Sequence, residues 1–193
     1  VKDKLHLSEA GYDIVTSAIK WQGAINALVK QDATTPPPAN PIVFVGSSSI
    51  VFWDVQKSFP NLALIKRGFG GSLFRDATYY VDRIVIPYEP KTIVIYDGDN
   101  DLKSGLSAEE VFADCKAFVE KVRAALPDTK IIVLSVKPSI ARWELYGEQQ
   151  KANKLIENYT KANKDLLYVD VGTALLGADG KPRADLLKED GLH

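Results

Sequence analysis

Five short runs rich in Val, Ile and Leu constrain this chain more than any other feature. They fall at residues 42–45, 62–65, 92–96, 130–136 and 166–171. None alternates strictly with polar residues, as a strand with one wet face would. Runs of this length and composition read as strands buried on both faces of a parallel sheet. Helical patterns separate them. Ser107 and Glu110 stand at capping-box spacing, and Val111, Cys115, Phe118, Val119 and Val122 then recur on one helical face. Residues 146–164 read as another helix. Strands alternating with helices predict an α/β fold: a three-layer α/β/α sandwich around a five-stranded parallel sheet. The stretch 34–41 holds four prolines and reads as a stiff, extended approach to the first strand.

The chain has 193 residues, which suits a single domain over 1–193 with a real hydrophobic core. Its 24 Lys and Arg balance 25 Asp and Glu. That balance gives no footprint for nucleic acid or an anionic membrane surface. No run approaches the roughly 18 apolar residues of a membrane span. One cysteine, Cys115, excludes an internal disulfide, and its place on an apolar helix face predicts a packing role. The sequence begins at Val1 and contains no Met, so cytoplasmic, periplasmic and secreted locations all stay open.

In open parallel sheets, ligands bind beyond the carboxyl ends of the strands. The residues following each run therefore matter most. They are Gly46-Ser47-Ser48-Ser49-Ile50, then Arg67-Gly68-Phe69-Gly70-Gly71-Ser72, then Asp97-Gly98-Asp99-Asn100-Asp101, and finally Asp190-Gly191-Leu192-His193. Acyl transfer needs a nucleophile, a base, an orienter for the base and donors for the oxyanion. Ser48 lies on a turn after a strand. His193 is a base suited to neutral pH, and Asp190, three residues before it, is within reach of one local turn. Gly71 can offer an unobstructed backbone N–H, and Asn100 an amide N–H₂.

At these residues the chain resembles the SGNH hydrolases, also called GDSL lipases/acylhydrolases. The family's first block appears as Gly46-Ser47-Ser48, its second-block glycine as Gly71, its Gly-x-Asn-Asp block as Gly98-Asp99-Asn100-Asp101, and its Asp-x-x-His block as Asp190 to His193. A branch of the family writes the first block as Gly-Ser-Ser-Ser-Ile followed by Trp, here Trp53, and carries the stretch seen here as Lys137-Pro138-Ser139-Ile140-Ala141-Arg142-Trp143. Ser47 replaces the usual Asp, which leaves the nucleophile intact but removes a carboxylate from the turn. The resemblance implies a flavodoxin-like SGNH fold and a serine ester hydrolase acting on small-molecule carboxylic esters, short acyl or O-acetyl. It implies Ser48, Asp190 and His193 as the triad, and Ser48, Gly71 and Asn100 as the oxyanion hole. It implies no cofactor and no metal.

Other readings stand beside this one. A flavodoxin-like binding module would have a similar sheet and could hold a phosphate on its Ser-rich loop. It gives no reason for the Asn100 and Asp190–His193 blocks. An SGNH-fold binding protein without hydrolysis is the other alternative, and failure of Ser48 to react with a fluorophosphonate would favour it. Asp97, Asp99 and Asp101 alternate as in a calcium loop, but Leu102 and Ala108 stand where Gly and Glu are needed. Arg142 and Trp143 read equally as pocket-lining residues or as an exposed loop anchor. Asp76 and Asp82 read as solvated helix positions.

The two ends of the chain resemble one another. Asp3-Lys4-Leu5-His6 precedes Leu7-Ser8-Glu9-Ala10-Gly11-Tyr12 and a helical pattern, with Ser8 as N-cap and Leu7 and Tyr12 at staple spacing. In the family such a helix follows the catalytic histidine. Residues 1–20 thus resemble a displaced C-terminal segment, and 21–193 the main body. Circular permutation, a tandem array, or a homo-oligomer exchanging its terminal helix would each produce this order. The expectation is a helix over 8–20 packed against a sheet, with Asp190 and His193 as the working pair and Asp3 and His6 in reserve.

Overall fold

The computed structural model describes residues 9–193. Five parallel strands form one sheet in the order β2-β1-β3-β4-β5: β1 (Ile42–Gly46), β2 (Leu64–Gly68), β3 (Thr92–Tyr96), β4 (Lys130–Leu134) and β5 (Leu166–Val169). The runs lack alternation because both sheet faces are covered. Val43, Val45, Ile93, Ile95, Ile131 and Val133 point into one core, while Phe44, Val94, Tyr96 and Leu134 point into a second core across the sheet.

The two faces are covered unequally. Four long helices make the first layer: α1 (Glu9–Gln31), α4 (Phe74–Ile84), α6 (Ala108–Ala125) and α7 (Tyr146–Lys161). Among the described residues, α2 (Ser48–Phe52) and α3 (Val55–Ser58) are the α-helices against the second face, anchored by Ile50 and Val55. Phe44, Trp53 and Phe59 form an aromatic cluster there. A further short helix, α5 (Asp99–Lys103), follows β3. Helix α6 starts at the expected capping box, Ser107 Oγ accepting from Glu110 N and Glu110 from Ser107 N. Its apolar stripe, Cys115 included, is buried, and burial pushes the Cys115 thiol pKa up.

Several expectations need correction. The second strand runs from Leu64 to Gly68, not over 62–65, because it continues through two charged residues. Arg67 is buried, paired with Asp32 and stacked over Tyr88, 4.6 Å from the ring centre to the guanidinium. β4 and β5 stop at Leu134 and Val169, two residues before their apolar runs end. Helix α7 ends at Lys161, three residues before the expected stop at 164. Asp76 is not solvated: its carboxylate is buried, capping Leu73 N at 3.0 Å and accepting the Ser17 hydroxyl at 2.5 Å. Asp82 does sit at the surface, 2.7 Å from Lys121.

The N-terminal helix continues unbroken past residue 20 to Gln31. Within the described residues it packs along α4, and Ile25 joins the core shared with Val43, Val45 and Ile65 of the sheet. Tyr80 donates to the carbonyls of Ser17 and Ala18, Arg83 donates to Asn26, and Ile25 enters the core. Leu7 and Ser8, and the reserve pair Asp3 and His6, lie outside the described residues.

Candidate active site

β1 ends on Gly46, whose φ is +132°. A Cβ here would fall 2.0 Å from the Tyr96 carbonyl oxygen, so a side chain would wedge β1 away from β3. Ser47 N donates to that same carbonyl at 3.0 Å, and the Ser47 carbonyl then accepts from Ile50 and Val51 to start α2. The turn is thus fixed by backbone bonds, without the absent carboxylate at position 47. Ser48 is the first residue of α2 and stands at the carboxyl edge of the sheet.

The other end of the chain reaches Ser48 through a closed loop. Gly191 N donates to Lys188 O, and Lys188 N donates to His193 O. Ala141 N binds Gly191 O at 3.0 Å and the Lys137 ammonium binds Leu192 O, so the loop is pinned to the segment after β4. Inside the loop, Asp190 Oδ1 accepts the backbone N–H groups of Leu192 and His193, each at 2.9 Å. Its Oδ2 lies 2.6 Å from His193 Nδ1, and His193 Nε2 lies 2.7 Å from Ser48 Oγ. The imidazole contact and these two N–H donors hold the Asp190 carboxyl well below the usual carboxylate range. An ionised carboxylate only accepts, so Nδ1 carries the ring proton, Nε2 is the acceptor and Ser48 donates to it.

The loops after β2 and β3 meet beside Ser48. Phe69 N donates to Gly46 O at 2.9 Å. A Cβ on Gly70 would stand 3.7 Å from Ser48 Cβ. Gly71 has φ +83°, and Trp21 of α1 lies beneath it, 3.3 Å from where a Cβ would be. Ser72 ties the loops together: its hydroxyl donates to Asp97 at 3.0 Å and its carbonyl accepts from Asn100 Nδ2 at 3.0 Å. Asp101 receives the backbone N–H groups of Gly98 and Phe74 at 2.9 and 3.0 Å. Burial raises the pKa of all three aspartates in this loop. Asp101 is pushed up to about 7. Asp97 rises well above the carboxylate range, its burial reinforced by the charge of Asp101. Arg142 partly offsets the effect of burial on Asp99.

The structure brings Ser48, His193 and Asp190 into one continuous contact chain, and attaches the loops bearing Gly71 and Asn100 to a common residue, Ser72. Among the described residues, no group of three or more His, Cys, Asp or Glu side chains could hold a metal ion. No helix among them is long and apolar enough to cross a membrane. Sequence reasoning gave Ser72 no role and passed over Trp21 and Gln149. Each acts through a contact distant in sequence, and only the fold reveals it.

The family model for GDSL-like lipase/acylhydrolases matches residues 52–193, beginning just past Ser48. The platelet-activating factor acetylhydrolase IB subunit alpha2 of Rattus norvegicus is 24% identical over 167 residues, covering 83% of this chain and 71% of the rat protein. A GDSL-like lipase structure from Bacteroides thetaiotaomicron superposes with a TM-score of 0.72 at 24% identity, covering 88% of each chain. A variant of an acetyl-xylooligosaccharide esterase from Geobacillus gives 0.55 at 14% identity, covering 77% of this chain and 90% of the other.

Proposed function

We propose that this chain, which belongs to the GDSL-like lipase/acylhydrolase family and is an ester hydrolase, cleaves short-acyl esters through an acyl-enzyme on Ser48. What carries the reading is the contact chain Asp190–His193–Ser48, with 2.6 and 2.7 Å between successive partners. His193 Nε2 takes the Ser48 proton as Oγ attacks the ester carbonyl, and Asp190 stabilises the imidazolium. The carbonyl oxygen becomes an oxyanion held by the backbone N–H groups of Ser48 and Gly71 and the Asn100 amide. The tetrahedral adduct collapses, the alcohol leaves with the proton from His193, and Ser48 keeps the acyl group. Water repeats the sequence: it gives a proton to His193 and attacks the acyl carbon, the adduct collapses to release the acid, and His193 returns the proton to Ser48 Oγ.

Acetyl is the acyl group we assign. The rat relative is named an acetylhydrolase and the Geobacillus protein an acetyl-sugar esterase, so a two-carbon acyl group recurs under different alcohols. The test joins labelling with rates. A fluorophosphonate should add to Ser48, read by peptide mass, and an aryl ester panel should show kcat/KM falling from acetate to octanoate. A label elsewhere defeats the nucleophile assignment, and a preference for long chains defeats the acetyl assignment.

A further inference from the structure

An oxyanion donor on a side-chain amide must face the right way. Asn100 carries two N–H groups on one side of its amide and a carbonyl oxygen on the other. A rotation of about 180° would present an acceptor to a negative charge and turn stabilisation into repulsion. The amide is held from both ends. Nδ2 spends one hydrogen on the Ser72 carbonyl at 3.0 Å, and Oδ1 lies 3.1 Å from Arg142 Nη1.

Arg142 comes from the Lys137–Trp143 stretch after β4, far from Asn100 in sequence. The same Nη1 donates to Asp99 Oδ2 at 2.7 Å, so its two hydrogens go to adjacent residues of one loop. Asp99 is fixed in turn by Gln149 of α7, whose Nε2 donates to Oδ1 at 3.1 Å. The Arg142 and Asp99 side chains are 14% and 9% exposed, so water screens this pair weakly. The result is a chain of oriented groups, Gln149–Asp99–Arg142–Asn100, running from α7 to the catalytic edge.

We propose that Arg142 is a positioning residue for ester hydrolysis, fixing the Asn100 amide so that its second Nδ2 hydrogen faces the developing oxyanion. This rests on the reading that Asn100 is an oxyanion donor. Arg142 touches no reacting atom. By binding Oδ1 it excludes the flipped amide, and its positive charge draws electron density from the amide and strengthens the remaining N–H as a donor. Lysine does not replace it, because the planar guanidinium fixes the directions of the two Nη1 hydrogens that reach Asp99 and Asn100, whereas an ammonium on a flexible stem rotates freely.

The inference is tested by a double-mutant cycle on an aryl acetate. Asn100→Ala should lower kcat by roughly 10²–10³. Arg142→Lys and Arg142→Gln are run in parallel, so the cycle does not depend on one variant folding. Each that keeps the parent's melting transition should lose about 10- to 100-fold in kcat with KM little changed. Placed on Asn100→Ala, the same change should cost less than about twofold, because the group it orients is gone. Arg142 losses of equal size in both backgrounds, or losses carried mainly by KM, overturn the inference while leaving Asn100 in its role. An Asn100→Ala enzyme with parental kcat overturns the oxyanion reading and this inference with it.

Discussion

The ring of Phe52 stands nearly perpendicular to the imidazole of His193, at 77° with 4.8 Å between centroids, and the Lys188 ammonium sits 4.0 Å from the centre of the same ring. Phe52 ends α2, the helix that Ser48 begins, so the proposed nucleophile and base are braced by one short element. With Asp190 on Nδ1 and Ser48 on Nε2, the aromatic contact restricts the remaining freedom of the imidazole. Phe52→Ala should lower kcat/KM about 2- to 12-fold, which corresponds to the 0.5–1.5 kcal/mol of an aromatic pair. Steady-state rates on an aryl acetate check this, and an unchanged value would show that the ring does not support the base.

The three consecutive serines should behave differently. Ser48→Ala should lose several orders of magnitude in kcat, keeping only the residual rate that the oxyanion hole and binding supply, while the melting curve stays intact. Ser47→Ala removes only a hydroxyl, since the bonds at that position that hold the turn are made by its backbone, and it should remain active. Ser49→Ala should also remain active. A dead Ser47 or Ser49 variant beside a working Ser48→Ala would reassign the nucleophile.

Two histidines compete for the role of base in this sequence. His193→Ala should abolish activity, and His6→Ala should leave it near the parent level. Asp190→Asn should lose roughly 10²–10⁴ in kcat, because an amide at this position no longer selects the tautomer with a free Nε2. If only the His6 variant is inactive, the N-terminal Asp3–His6 pair supplies the base.

Stability should fall with rising pH because of the loop after β3. Burial raises Asp101 to about 7 and Asp97 well above the ordinary carboxylate range. An unfolded Asp titrates near about 3.9, so between about pH 4 and 7 the folded state binds more protons than the unfolded one. Stability contributed by these carboxyls is therefore present at low pH and lost as pH rises through their folded pKa values. Asp97 Oδ2 is buried without a partner, so its ionised form gains little in return. Asp97→Asn should melt at least about 2–4 °C above the parent at pH 8, the shift expected for about 1 kcal/mol at this chain length. The advantage should shrink toward pH 5. A variant that melts lower than the parent at pH 8 would show the charge to be compensated.

The runs that became β1 and β3 were legible because burial on both faces leaves an unbroken apolar signature. β2 was misplaced because a buried ion pair, Arg67 with Asp32, looks polar in sequence and apolar in its surroundings. Asp76 was misread for a similar reason: a cap that reaches its own helix start and Ser17 of another helix is buried by tertiary contacts that no local pattern encodes. At the site, Ser48, Gly71, Asn100, Asp190 and His193 could be named because each follows a strand or sits in a short motif. Arg142 could be noticed but given no role, since that depends on a contact 42 residues away in sequence. Trp21 left no local signal either; its place under Gly71 exists only once α1 lies along α4.

The order of strands in the sheet should set the order in which the molecule fails under heat. β1 is flanked on both sides and carries the Ser48 turn at its end, whereas β5, like β2, is an edge strand, and its Leu167 and Val169 are open to solvent. The loop bearing Asp190 and His193 lies downstream of this softer edge. An edge strand can open locally at a lower free energy than global unfolding. Warming should therefore separate the imidazole from the hydroxyl while the central strands still hold, so catalysis should fade at a temperature where most backbone amides remain protected from exchange. The lifetime of the working enzyme should then follow the β5 edge of its sheet more than the depth of its core.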